Sequence, residues 1–385
     1  MKTITGSPAR KKQFFKRPHL REKILKAITA NENLLISAPR RVGKSSILLD
    51  LVDSPDEKFY AVFVDTEAIN SSDNFFKIIL QAILDADQIE SFGFFNNNIK
   101  DKLKKWTSRI AAISIAGLGV EIDKKEKKTY YEEFCDFLTD IKLDEKKILL
   151  LIDEFPITVE KIQEAQGVEE AVHFLSQNRA LRQNPVFQEK IRFIYTGSIG
   201  LFTAVKKIRA TDKINDLREI KIEALNKEDA VKLLTLLLKE DCNHTPSEET
   251  IEYILEKLEW WIPFYFQLMV RELADLINEN EITKTTTDKA FEKIIENGNI
   301  YFEHFKDRLQ KVFKSSDSLN FVNEFLLTVK QNADIDYPKA LNLAEKHNVR
   351  NELDNILEVL KHDGYIVEVE NNYKFYSPIL KRWWK

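Results

Sequence analysis

Apolar residues along the chain follow two rhythms. Five short runs rich in β-branched and aromatic residues, at 33–38 (NLLISA), 58–66 (KFYAVFVDT), 147–155 (KILLLIDEF), 191–198 (IRFIYTGS) and 218–225 (REIKIEAL), are separated by longer stretches whose apolar positions recur every three or four residues. Short buried runs alternating with helical patterns predict an α/β fold with a parallel sheet and crossover helices. Roughly eighty residues lie between the second and third runs, too many for one crossover helix, so an insertion is expected there. Within it, AAISIAGLGVEID (111–123) alternates around Gly117 and Gly119 and predicts a β-hairpin. Its G-x-G has no third glycine and no helix behind it, which favours the hairpin over a dinucleotide fingerprint.

After residue 226 the pattern becomes helical. LNKEDAVKLLTLLLKED, then SEETIEYILEKLEWWIPFYFQLMVRELADLI, then TDKAFEKIIENG read as amphipathic helices and predict a helical lid over 227–310. Over 317–385 three helical patterns precede two short strands joined at Asn371–Asn372, an order that predicts a winged helix.

Composition narrows the class. A chain of 385 residues with 43% apolar and 31% charged residues is expected to form two or three domains with cores of their own. A net charge of −4 gives no overall attraction to nucleic acid. No run of apolar residues is long enough to span a bilayer, and the basic N-terminus has no apolar segment of a secretory signal, so a cytoplasmic protein without membrane contact is expected. Cys135 and Cys242 stand apart, without the spacing of a disulfide framework or a zinc site.

The chemistry begins where the first apolar run ends. Ala38, Pro39, Arg40, Arg41, Val42, Gly43, Lys44, Ser45 and Ser46 fit a phosphate-binding loop, with alanine at the position usually held by its first glycine. Such a loop wraps phosphates with backbone N–H groups and needs a glycine where a Cβ would block close approach. Lys44 is placed to reach the β and γ phosphates, Ser45 to hold Mg²⁺, and the following helix turns its positive N-terminus toward the anion. A second element is the pair Asp153 and Glu154, at the end of the most apolar strand. Ligands bind at that edge of a parallel sheet. Asp153 is the candidate to complete the Mg²⁺ shell through water, and Glu154 the candidate base for the water that attacks the γ phosphate.

Together SAPRRVGKSS, LLLIDEF and FIYTGSIGL resemble the archaeal-type ATPases of the STAND group, relatives of AAA+ proteins, and the resemblance runs over about residues 12 to 383. It implies a P-loop ATPase core with a parallel five-stranded sheet over 1–226, the helical lid and the winged helix, with ATP and Mg²⁺ as ligands. It also implies a γ-phosphate sensor after the fourth strand, where Thr196 and Ser198 both stand and Ser198 is the first choice. FFKRP resembles the family's entry segment near the adenine and gives Arg17 that place, although the family's glycine and glutamate are missing. Arg218, before the fifth strand, matches an arginine that reaches a neighbouring subunit's phosphate, with Arg179 and Arg182 as competitors. Pro263 matches the lid's Gly-x-Pro-Tyr motif, with Trp261 where glycine is usual.

The implied function is an ATP-hydrolysing switch that controls assembly, as a nucleotide-dependent homo-oligomer, or an unidentified protein partner. The alternative is a DNA-loading ATPase of origin-recognition or transposition type, and a third reading is a nucleotide-bound scaffold without turnover. DNA is not favoured as a partner of the wing. Its third helix, VRNELDNILEVLKHDG, sets Arg350 and Lys361 against Glu352, Asp354, Glu358 and Asp363, which repels a duplex. The basic stretches at the two ends, ARKKQFFKR and KRWWK, are the better candidates for a nucleic-acid contact.

Overall fold

The computed structural model describes residues 1–86, 128–141, 143, 145–197, 200–277 and 282–385. They form two compact units. The sheet unit comprises residues 17–37 and 47–221, and the helical unit comprises 1–16, 38–46 and 222–385. The hairpin expected at 111–123 lies outside the described residues.

In chain order the elements up to residue 221 are α1 (Pro18–Thr29), β1 (Asn33–Ser37), α2 (Lys44–Asp53), β2 (Phe59–Asp65), α3 (Ser72–Leu84), α4 (Tyr130–Asp140), β3 (Lys147–Asp153), α5 (Phe155–Gln166), α6 (Val168–Gln183), α7 (Pro185–Gln188), β4 (Ile191–Thr196), α8 (Leu201–Lys207) and β5 (Leu217–Lys221). The five strands form one parallel sheet in the order β2-β3-β4-β1-β5. The strand that leads into the phosphate loop and the strand that ends in Asp153 are therefore separated by β4. At the carboxyl edge Asp65 stands in register with Asp153, and Ile36 with Thr196.

The composition of β3 explains its place. Ile148 to Ile152 are at most 2% exposed, as expected of a parallel strand covered on both faces, where an unbroken apolar run replaces alternation. Truncating one of these side chains to alanine costs about 2–5 kcal/mol. An aromatic cluster fills one side of the sheet: the rings of Phe75 and Phe174 meet edge-on at 4.8 Å, and those of Phe155 and Tyr195 lie tilted at 4.5 Å. Helix starts are marked by side-chain caps. Ser71 accepts from the Asn74 N–H at the head of α3, and Thr129 and Glu132 form a reciprocal capping box at α4.

The helical unit contains α9 (Lys227–Asp241), α10 (Glu248–Leu258), α11 (Pro263–Leu276), α12 (Lys284–Glu296), α13 (Gly298–Val312), α14 (Ser316–Asn332), β6 (Ile335–Asp336), α15 (Tyr337–Lys346), α16 (Leu353–His362), β7 (Ile366–Val369), β8 (Asn372–Phe375) and α17 (Pro378–Trp383). The long pattern that spans SEETIEY to LADLI is two helices. Glu259 takes a left-handed φ of 49° and Pro263 starts α11, since proline cannot donate within a helix but suits its first turn. From α14 onward the chain is a winged helix: three helices with β6, β7 and β8 in one antiparallel sheet, ordered β6-β8-β7. The wing turns at Glu370 and Asn371, both at positive φ, as a two-residue hairpin requires. Gly298 opens α13 beneath Trp383, whose ring would come within 2.3 Å of any Cβ at that position. Among the described residues no helix is long and apolar enough to cross a membrane.

Candidate nucleotide site

The chain leaves the sheet at Ser37, crosses residues 38–43 and enters α2 at Lys44. Two backbone angles shape this loop: Arg41 has φ 68° and Gly43 φ 102°. A Cβ at Gly43 would meet no atom within 4 Å, so glycine serves here for its dihedral freedom and leaves open space on that side of the turn. Lys44 is 6% exposed, and its Nζ donates to the carbonyls of Ala38 and Pro39, both at 2.8 Å. The ammonium thereby ties the first two loop residues to the head of the helix. Val42 and Ser46 are buried, and Ser45, the candidate Mg²⁺ ligand, is half-buried.

The loop also belongs to the helical unit by contact. The Arg41 guanidinium lies over the Phe264 ring of α11, 4.8 Å from its centroid. Gly364, in the turn between α16 and β7, has φ +82° and faces Pro39, and a Cβ there would stand 2.7 Å from the Cβ of Pro39. Burial lowers the Arg41 pKa, and the adjacent charge of Arg40 lowers it further, against the opposing influence of Tyr265 and Tyr301. Burial, then the charges of Arg40 and Arg41, push the His304 imidazole on α13 down to about 3. Its Nε2 is buried and has no hydrogen-bond partner among the described residues. Beside Gly364, the buried carboxyl of Asp363 accepts from Arg308 Nε at 3.1 Å.

In the sheet unit the acidic pair closes β3. Asp153 is 4% exposed, and its Oδ1 accepts from the Glu154 N–H at 3.1 Å. Glu154 occupies the left-handed region, φ 57° and ψ 29°, between the strand and α5. That conformation turns the chain sharply, so that two consecutive acids stand at the sheet's edge instead of alternating across it. On the neighbouring strand Thr196 is fully buried, and its Oγ1 has no partner among the described residues. A buried orphan hydroxyl at this edge calls for a polar ligand or water. Ser198, the first choice as sensor, lies outside the described residues.

The other expected residues are dispersed. Arg17 is the half-buried residue preceding α1. Pro263 begins α11, where its neighbour Phe264 carries the contact with Arg41. Arg218 pairs in register with Leu34 at the amino end of its strand, opposite the edge where the loop departs, and bonds Glu32 at 2.5 Å. Of its competitors, Arg182 is buried and committed: it grips Asp216 at 2.7 and 2.8 Å and the Lys213 carbonyl at 2.7 Å. Arg179 donates to the Asp212 carbonyl at 2.6 Å. Sequence reasoning missed Thr66 and Thr158, which hold the Asp153–Glu154 turn from behind, and it missed Gly364. Only the glycine left a trace, as a turn signal in KHDGYI.

No family model and no curated protein sequence matches the chain. Solved structures do. The Walker-type ATPase of Pyrococcus abyssi superposes with a TM-score of 0.64 at 16% identity, over 97% of this chain and 96% of that one. The fold is that of a Walker-type ATPase. The ORC2 protein of Aeropyrum pernix, in its ADPNP–ADP complexes, superposes with a TM-score of 0.56 at 9% identity, over 95% of this chain and 90% of that one. Both likenesses run over at least 95% of this chain, sheet unit and helical unit alike. Each unit carries donor types that a magnesium nucleotide takes: the helical unit a hard oxygen at Ser45 and a compact cation at Lys44, the sheet unit a carboxylate at Asp153.

Proposed function

We propose that this chain is a Mg²⁺-dependent ATPase of the STAND type, acting in the cytoplasm as a switch that controls assembly or a protein partner. The observation that carries the switch is the double contact of the phosphate loop, with Phe264 of the lid through Arg41 and with Gly364 of the winged helix through Pro39. Whatever fills the loop changes the surface on which both modules rest. In this reading Lys44 and the loop N–H groups hold the phosphates, Ser45 and Asp153 hold the metal, and Glu154 takes the proton of the attacking water. Thr196 offers its hydroxyl at the same sheet edge. Bound Mg²⁺ would neutralise charge on the phosphates; the protein's share is positioning and electrostatics.

The fold likeness to an origin-recognition protein supports the DNA-loading alternative. Against it, α16 presents Asp354 and Glu358 and the wing presents Glu368 and Glu370, charges that oppose a duplex. The test is hydrogen exchange at α11 and at residues 363–365, with and without saturating MgATP. Altered exchange at both, absent in Lys44→Ala, is expected. Unchanged exchange in a protein that binds ATP would overturn the switch.

A further inference from the structure

Glu154 sits in a conformation disfavoured for any residue with a Cβ, at a place where a strand turning into a helix is easily made with glycine or asparagine. Something must hold it there. The Asp153 carbonyl, immediately before the turn, accepts from the Thr66 N–H at 3.1 Å and from Thr66 Oγ1 at 2.7 Å. Thr158, on the first turn of α5, brings its Oγ1 to 2.8 Å from both the carbonyl and the Oγ1 of Thr66, and to 3.3 Å from the Glu154 carbonyl. Both threonines are fully buried. The two hydroxyls thus form a chain from the end of β2, through Thr66, to the carbonyls on either side of the Glu154 Cα. From the opposite side Gly197 closes on the same turn, because a Cβ there would stand 2.4 Å from Pro156 Cδ and 3.6 Å from Glu154 Oε2.

We infer that Thr66 and Thr158 are positioning residues for hydrolysis, fixing the left-handed turn that aims the Glu154 carboxylate at its water. The inference rests on Glu154 serving as the base. It assigns the threonines no contact with the nucleotide: they act on the main chain of Asp153 and Glu154, and through it on one carboxylate. An error of about 1 Å in such a group costs on the order of a hundredfold in rate. Valine matches threonine in shape and removes only the hydroxyl, and serine restores the hydroxyl without the methyl group.

The experiment compares Thr158→Val, Thr158→Ser and Thr66→Val with wild type in the full chain, measuring kcat for ATP and the Kd for ADPNP. Thr158→Val is expected to lose roughly 10- to 100-fold in kcat while its Kd stays within about twofold, and Thr158→Ser to recover kcat to within about threefold of wild type. Wild-type kcat in Thr158→Val would overturn the inference. So would a parallel loss of kcat and affinity that serine does not rescue, which marks a merely structural role. If Thr158→Val does not fold, Thr66→Val decides by the same split, with Thr66→Ser as its rescue. Glu154→Gln separates the two levels: if it hydrolyses ATP normally, the reading of Glu154 fails, whereas an inactive Glu154→Gln beside a fully active Thr158→Val condemns the positioning role alone.

Discussion

Pro39 of the phosphate loop packs against the bare backbone of Gly364 in the winged helix, where a Cβ would stand 2.7 Å from its own Cβ. Gly364→Asn tests this contact with less backbone strain than other substitutions, because asparagine tolerates positive φ better than most residues with a Cβ. The variant is expected to release bound nucleotide several-fold faster, as the winged helix is pushed off the loop. Pro39→Gly, which removes the opposing atoms, should restore the rate in the double variant beyond what the two single effects sum to. Nucleotide release followed with a fluorescent ADP analogue decides it, and additive effects would mean the contact carries no coupling.

The sheet was legible because burial on both faces writes itself as short apolar runs, and each of the five runs contains or adjoins an observed strand. The winged helix was legible from three helical periods and a turn signal expected at Asn371–Asn372, which the structure places one residue earlier, at Glu370–Asn371; β6 was not, because two residues, Ile335 and Asp336, are too few to show any period. The break between α10 and α11 hid inside a pattern that stayed apolar on both sides of Glu259. The acidic pair was visible as Asp153-Glu154 at the end of an apolar run, whereas the turn that separates the two carboxylates was not. A left-handed glutamate leaves no trace in composition, and the threonines that hold it come from positions 66 and 158, joined only by the fold.

Thr196 buries a hydroxyl that no described residue satisfies. Such a group destabilises the fold by about 1–3 kcal/mol unless water or ligand meets it. Thr196→Val should therefore leave stability unchanged or raise it by about 1 kcal/mol in urea unfolding, while turnover falls tenfold or more. A variant that loses stability and keeps full turnover would place the hydroxyl in the core's structure rather than in the site.

Arg182 and Arg218 make opposite predictions. Arg182 is 1% exposed and its partner Asp216 17%, so Arg182→Ala empties a buried site, strands a half-buried carboxylate and is expected to cost about 3 kcal/mol. Arg218 is 48% exposed in its pair with Glu32, and Arg218→Ala should cost at most about 1 kcal/mol. If Arg218 acts on a neighbouring subunit, the same variant loses hydrolysis in assembled protein and regains part of it when mixed with Lys44→Ala, since one interface then pairs an intact loop with an intact arginine. No recovery at any mixing ratio would remove Arg218 from catalysis.

His304 ties stability to pH. Burial and the two loop arginines hold its pKa at about 3, against an ordinary 6.5, so the folded chain keeps the imidazole neutral where the unfolded chain protonates it. Between those values the unfolded state binds more protons, and stability therefore rises with pH. The contribution is complete above pH 6.5 and is lost progressively as pH falls toward 3. His304→Phe removes the titration while keeping an aromatic ring beside Phe305, whose centroid lies 4.5 Å from that of the imidazole. The variant should match or trail wild type at pH 7.5 and overtake it near pH 5 in thermal unfolding. Because Arg40 and Arg41 supply part of the depression, Arg41→Gln should flatten the wild-type acid limb, though less than His304→Phe does. Parallel pH profiles for wild type and His304→Phe would show that the imidazole does not titrate in this window.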